Sequence, residues 1–179
     1  MENNWDPLDT ELAAESLAAT LKRQIKNILD SYTGWYDLFC ELIQNALDAV
    51  DQMRRLSRSS DYKPSIYIMI DLKENLLCVT DNGIGFTEDQ FKGFLAPNVS
   101  YKKGDNRGSK GVGATYIAYG FNYLQFGTKT SDFSFLGTLQ SAREWVEDSS
   151  GTIIRPKVLK VNDSLHECFR DIDQGSTFV

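Results

Sequence analysis

Hydrophobic residues recur along this chain with two different periods, and the changes between them outline the elements. After Asp9, an N-cap candidate, Leu12, Leu17, Leu21, Ile25 and Ile28 follow at helical spacing to about residue 30. A turn through Ser31-Tyr32-Thr33-Gly34 leads into a longer helix, from about Trp35 to Leu56, and a polar loop runs from Ser57 to Asp61. Ile66, Ile68 and Ile70 then alternate with Tyr67 and Met69, which is a strand pattern. Leu76 to Thr80 reads as its partner across a Lys73-Glu74-Asn75 turn. A glycine turn, a short amphipathic piece (Thr87 to Leu95) and a polar loop (Ala96 to Lys110) come next. A helix opening at Gly111 precedes two strands, Phe121 to Thr128 and Phe133 to Leu139, joined by a turn from Lys129 to Asp132. Ile153 to Val161 reads as an edge strand at best, because Pro156 has no N–H to offer a neighbour. Gly175-Ser176-Thr177-Phe178-Val179 has the pattern of one more strand, so the chain is expected to be the front piece of a longer protein.

Composition narrows the class. With 179 residues, 41% hydrophobic and 25% charged, the chain suits one globular domain and excludes a disordered or collagen-like one. A net charge of −6 argues against a broad nucleic-acid-binding surface but leaves room for a local basic patch. The acidic start has no basic and apolar signal pattern, and the uncharged stretch from Gly111 to Thr128 holds four glycines, a poor membrane span. No membrane association is expected. Cys40, Cys78 and Cys168 are scattered and odd in number, so a disulfide framework or zinc site is not expected and a cytoplasmic setting is. With His166 as the single histidine, a His-based relay would depend on that residue alone.

Three clusters can carry chemistry. On the second helix Glu41, Gln44, Asn45, Asp48 and Gln52 share about a third of the circumference, and apolar residues fill the rest. Alone, this reads as a solvated stripe. The width of the apolar arc points instead to a stripe that lines a cavity, where a glutamate could activate water beside an asparagine oxygen ligand for Mg2+. Asp81-Asn82-Gly83-Ile84-Gly85-Phe86 follows a strand. It is either a plain Asp-Asn-Gly turn or a backbone that approaches a flat ligand, with Asp81 accepting from an exocyclic amine. Gly108-Ser109-Lys110-Gly111-Val112-Gly113 opens a helix behind a loop carrying Lys102, Lys103 and Arg107. It is an anion cradle or a basic loop, and neither a Walker A loop nor a dinucleotide-binding turn.

Taken in order, Glu41-x-x-x-Asn45-x-x-Asp48, Asp81-x-Gly83-x-Gly85, Gly108-x-x-Gly111-x-Gly113 and Gly175-Ser176-Thr177 resemble the GHKL ATPases. That superfamily covers the gyrase B subunit, heat-shock chaperone ATPases, MutL, MORC proteins, the topoisomerase VI B subunit and sensor histidine kinases. The resemblance spans residues 35 to 179. It implies an α/β (α+β) two-layer sandwich of the Bergerat type, a mixed sheet with helices on one face. The ATP-binding domain would be residues 31–179, cut before a transducer domain, with residues 1–30 an N-terminal helical arm able to swap onto a partner. It further implies that ATP and Mg2+ are bound, with Glu41 as general base and Asn45 as the metal ligand. Asp48 and Ala49 would line the site, and Asp81 would read the adenine amine. Gly83, Ile84 and Gly85 would shape the base pocket, and Thr177 would reach the adenine through a water shared with Asp81. Ser100 and Lys102 would come from a lid at about Phe86 to Lys110. Gly108, Ser109, Lys110, Gly111, Val112 and Gly113 would hold the phosphates.

Arg107 to Gly113 looks closest to the topoisomerase VI B and MORC side. The functional expectation is a Mg2+-dependent ATPase module whose lid closure drives an ATP-dependent homodimer, with a DNA or protein partner engaged through further domains. The alternatives are a histidine-kinase-type catalytic domain, disfavoured by Glu41, Ser100-x-Lys102 and the lack of an upstream His, and a non-hydrolysing nucleotide-sensing switch. The lysine that hydrolysing members bring from a transducer domain has no counterpart in this chain.

Overall fold

The computed structural model describes residues 14–57, 61–97 and 112–179. Its sheet is built from β1 (Ile66–Asp71), β2 (Leu76–Asp81), β3 (Tyr123–Lys129), β4 (Ser134–Gln140), β5 (Leu159–Lys160) and β6 (Gly175–Phe178), in the spatial order β1-β2-β6-β3-β4-β5. Helices α1 (Ala14–Asp30), α2 (Asp37–Leu56), α3 (Glu88–Gly93), α4 (Val112–Tyr119), α5 (Ala142–Glu147) and α6 (Cys168–Asp171) complete the described chain. The fold is therefore the two-layer α+β type expected, with one correction. Every strand pair in the described sheet is antiparallel, so the sheet is not mixed.

Alternation along the strands divides the sheet into two faces. Val79, Phe178, Phe126, Leu124 and Leu139 point to the helical layer and are buried with Leu42 and Ala46 of α2, Phe91 of α3 and Ile117 of α4. On α2, Leu42, Ala46 and Val50 recur every fourth residue, which lays one side of the helix on β2. Thr87 caps α3 reciprocally with Gln90, the Thr-x-x-Gln arrangement that satisfies two free N–H groups at a helix start.

The other face is not bare. Residues 161–172 cover it: Phe169, Ile172 and Val161 pack on Leu136. Gln125 of β3 donates to the Asp163 carbonyl (3.1 Å) and accepts from the Leu165 N–H (2.8 Å). Lys129 donates to the carbonyls of Phe169, Arg170 and Ile172 at 2.6–3.0 Å, fastening the last turn of α6. Helix α1 is seated on its own chain. Ile25 and Leu29 bury against Trp145 and Val146, and the Lys22 ammonium lies 5.0 Å above the Trp145 ring. A swap of this helix onto a partner would have to uncover that cluster. Among the described residues no helix is long and apolar enough to cross a membrane.

Candidate functional site

The turn after β2 is fastened from three sides. The Ile84 N–H donates to the Ala49 carbonyl of α2 (3.2 Å), the Phe86 N–H donates to the Thr128 hydroxyl of β3 (2.8 Å), and Gln174 donates to the Ile84 carbonyl (3.0 Å). Gly83 lies so close to α2 that a Cβ there would overlap the backbone of Ala49. Gly85 has φ +66°, a left-handed conformation that favours glycine, and a Cβ there would stand 2.6 Å from the Lys129 carbonyl oxygen. The glycine spacing read from the sequence thus has a physical cause: both positions are crossed at backbone distance. Asn82 is a structural tie instead. Its side chain accepts from the Ser65 N–H (2.8 Å) and donates to the Lys63 carbonyl (2.8 Å).

Asp81 is 3% exposed and accepts the Gly83 N–H at 2.8 Å. Burial pushes its carboxyl up to about 7, against the opposing pull of the Gly83 and Ser176 N–H groups. An acid whose ionisation is suppressed by folding lends stability that is full below the unfolded value of 3.8 and is lost as pH rises through about 7. The contribution of Asp81 to the stability of the nucleotide-free protein should therefore fall between pH 5 and pH 8, by an amount bounded at about 3 kcal/mol, against an opposite contribution from buried His166. Asp81→Asn should flatten that slope. Melting curves of both proteins across this pH range check it, and parallel slopes would remove Asp81 as the cause.

Sheet register corrects one assignment. Asp81 stands opposite Ser176, and Thr80 opposite Thr177. Thr177 therefore points away from Asp81, to the covered rear face. Its hydroxyl lies 2.7 Å from that of Thr80, which is itself 2.6 Å from Nδ1 of His166. The residue of β6 on the face of Asp81 is Ser176 rather than Thr177. His166 is 3% exposed, and burial lowers its basicity. Among the described residues no group of three His, Cys, Asp or Glu could hold a metal ion.

The other end of the site lies where α2 meets the start of α4. The Glu41 carboxylate occupies the space that a Cβ on Gly113 would fill. Its Oε1 accepts the Tyr32 hydroxyl at 2.9 Å, and the Tyr32 ring stacks on Tyr116 of α4 with centroids 4.0 Å apart. Neither Tyr32 nor Ser176 stood out in the sequence. Strand alternation would have raised Ser176 had the pairing partner been known, whereas Tyr32 sits in a turn with no period to mark it. Along α2, Glu41, Asn45 and Ala49 follow at intervals of one turn, so Glu41 and Ala49 are separated by about 12 Å. Asp48 is buried on the same helix. Val112 opens α4 beside Gly113. Ser100, Lys102, Gly108, Ser109, Lys110 and Gly111 lie outside the described residues. A separate cavity of about 410 Å3, lined by Leu38, Leu42, Leu76, Ile117, Phe121 and Phe178 among others, opens at the opposite end of β2 from Asp81 and includes none of these site residues.

No protein-family model matches the chain. It is similar to chaperone protein HtpG of Campylobacter jejuni, 44% identical over 55 residues, which is 27% of this chain and 9% of that protein. It is also similar to chaperone protein HtpG of Nitrobacter hamburgensis, 35% identical over 92 residues, or 46% of this chain and 14% of that protein. The chain thus spans no more than about a seventh of the length of these relatives. These partial similarities support kinship with the GHKL superfamily, at that level and no finer.

Proposed function

We propose that this chain is an ATP-binding and Mg2+-dependent ATP-hydrolysing module of a larger multidomain protein. One arrangement carries the reading. A single helix, α2, sets Glu41 against Gly113 at one end and Ala49 against the Gly83 turn and buried Asp81 at the other. A nucleotide laid along this helix would put its base at Asp81 and its phosphates at the start of α4, where backbone N–H groups favour anions. Asp81 would accept from the adenine 6-amino group, with Ser176 in the role first given to Thr177. Gly83, Ile84 and Gly85 would form the base pocket, while Asp48 and Ala49 would line its α2 side. Val112 and Gly113 would present N–H groups to the phosphates, with Gly108 to Gly111, Ser100 and Lys102 joining from the lid.

The donor chemistry fits Mg2+ with the amide oxygen of Asn45 as its protein ligand. This cation takes one or two protein oxygens and leaves its other positions to water and phosphate, so a dedicated carboxylate cluster is not required. When bound, it would neutralise phosphate charge. Glu41 would hold and deprotonate the attacking water. Lid closure over the phosphates and an ATP-dependent homodimer belong to this reading, as do a DNA or protein partner of the longer protein and a cytoplasmic setting. The finer likeness of Arg107 to Gly113 to the topoisomerase VI B and MORC side is part of the proposal too.

The test begins with base choice. GTP would bring a 6-oxo group, an acceptor, against the Asp81 carboxylate. A buried mismatch of this kind costs about 1–3 kcal/mol, so ATP should bind roughly ten- to a hundredfold more tightly than GTP. Calorimetry with both nucleotides and Mg2+ at about pH 8.5 or above, where the Asp81 carboxyl is ionised and cannot donate to the 6-oxo group, measures this, and equal affinities there would remove Asp81 from the base pocket. Phosphate release in the full-length protein then decides between a hydrolase and a nucleotide-sensing switch.

A further inference from the structure

The glutamate proposed above as general base is held by a residue from outside every motif described. Tyr32 lies in the turn between α1 and α2. Its hydroxyl donates to Oε1 of Glu41 at 2.9 Å, while the other carboxylate oxygen, Oε2, lies against Gly113. Gly113 leaves room for the carboxylate and Tyr32 grips it, so the head group is bounded on both sides. The phenol is itself immobilised, because its ring lies nearly parallel to that of Tyr116 (6° between planes) at 4.0 Å. Tyr116 belongs to α4, the helix whose first turn contains Gly113. Burial and the nearby Glu41 charge hold the phenol above its ordinary range, so it stays a donor at physiological pH.

We infer that Tyr32 is a positioning residue for Glu41: its hydrogen bond fixes which carboxylate oxygen faces the attacking water, and its stack ties that choice to the phosphate-binding start of α4. The inference rests on the ATPase reading and deepens it. A base oriented by a third group is the arrangement that nucleophile activation calls for, since a carboxylate free to rotate spends much of its time misaligned. One oxygen occupied by Tyr32 leaves the other to take the proton from water. The stack also lets a movement of the α4 start shift the phenol, and with it the base.

Tyr32→Phe removes the hydroxyl and keeps the ring on Tyr116, so the fold is retained. In the full-length protein this variant should lower kcat about tenfold or more, with KM for ATP and the affinity for a non-hydrolysable ATP analogue within about twofold of wild type. Glu41→Gln and the double variant should hydrolyse ATP equally slowly, because Tyr32 acts only through the carboxylate. Wild-type turnover in Tyr32→Phe would overturn the positioning role while leaving the ATPase reading intact. An equal further loss when Tyr32→Phe is added to Glu41→Gln would also overturn it, by showing that Tyr32 acts elsewhere. A wild-type protein that binds the analogue yet never releases phosphate would overturn the role of Glu41 together with that of Tyr32.

Discussion

Replacing Glu41 with alanine is expected to lower the rate of ATP hydrolysis by about 10²–10⁴-fold while leaving ATP affinity within a few-fold of wild type. A general base works on the transition state, where the water proton is in flight, and contributes little to holding the ground-state nucleotide. The structure makes this separation clean. Glu41 is at the α4 end of α2, about two turns from the Ala49–Gly83 contact that anchors the Asp81 turn, so truncation leaves that end untouched. Gly113 gains space in the exchange, and the Tyr32 hydroxyl loses its acceptor on Glu41. Single-turnover hydrolysis and analogue binding, measured side by side, check the prediction. A variant that loses affinity as steeply as rate would mean that Glu41 binds nucleotide rather than activating water.

The parts of the fold that periodicity could reach are those in which one face is buried and the other is not. β1 to β4 and the buried side of α2 follow from alternation or from i, i+4 spacing, and the structure agrees to within a few residues. Ile153 to Val161 shrinks to the two residues of β5, consistent with the missing N–H of Pro156. Helix α5 escaped because it starts directly after β4 through Ser141, a non-glycine residue at φ +54° that no sequence pattern announces. The rear cover could not be foreseen for a different reason. Gln125, Thr80 and Thr177 are ordinary strand residues until His166 and the backbone of residues 163–165 arrive to bond them. The same long-range pairing decided between Ser176 and Thr177: the alternation of β6 was visible, but which of its faces meets Asp81 depends on its register with β2.

Gly175→Ala is expected to be the most damaging small substitution for stability, at about 3 kcal/mol or more, a fall in melting temperature of roughly 10 °C. Two independent costs combine. Gly175 has φ +137°, a region that residues with a Cβ rarely enter. The added Cβ would also overlap the carbonyl oxygen of Asp81 and stand 2.9 Å from the Asn82 Cα. These are backbone atoms, held on one side by the β2–β6 pairing and on the other by the Asn82 ties to Ser65 and Lys63, so they cannot swing aside as a side-chain tip could. Gly151→Ala supplies the contrast. Its φ is also positive, at +74°, but nothing lies within 4 Å of the new Cβ, so only the conformational cost of about 1 kcal/mol applies. Thermal melts of both variants separate crowding from backbone strain. If Gly175→Ala proved no worse than Gly151→Ala, the close approach of β6 to Asp81 would not be the constraint that holds this end of the site. If it proves worse, any protein that still folds should also bind ATP poorly, since relief of the overlap must shift either β6 with Ser176 or the Asp81 turn.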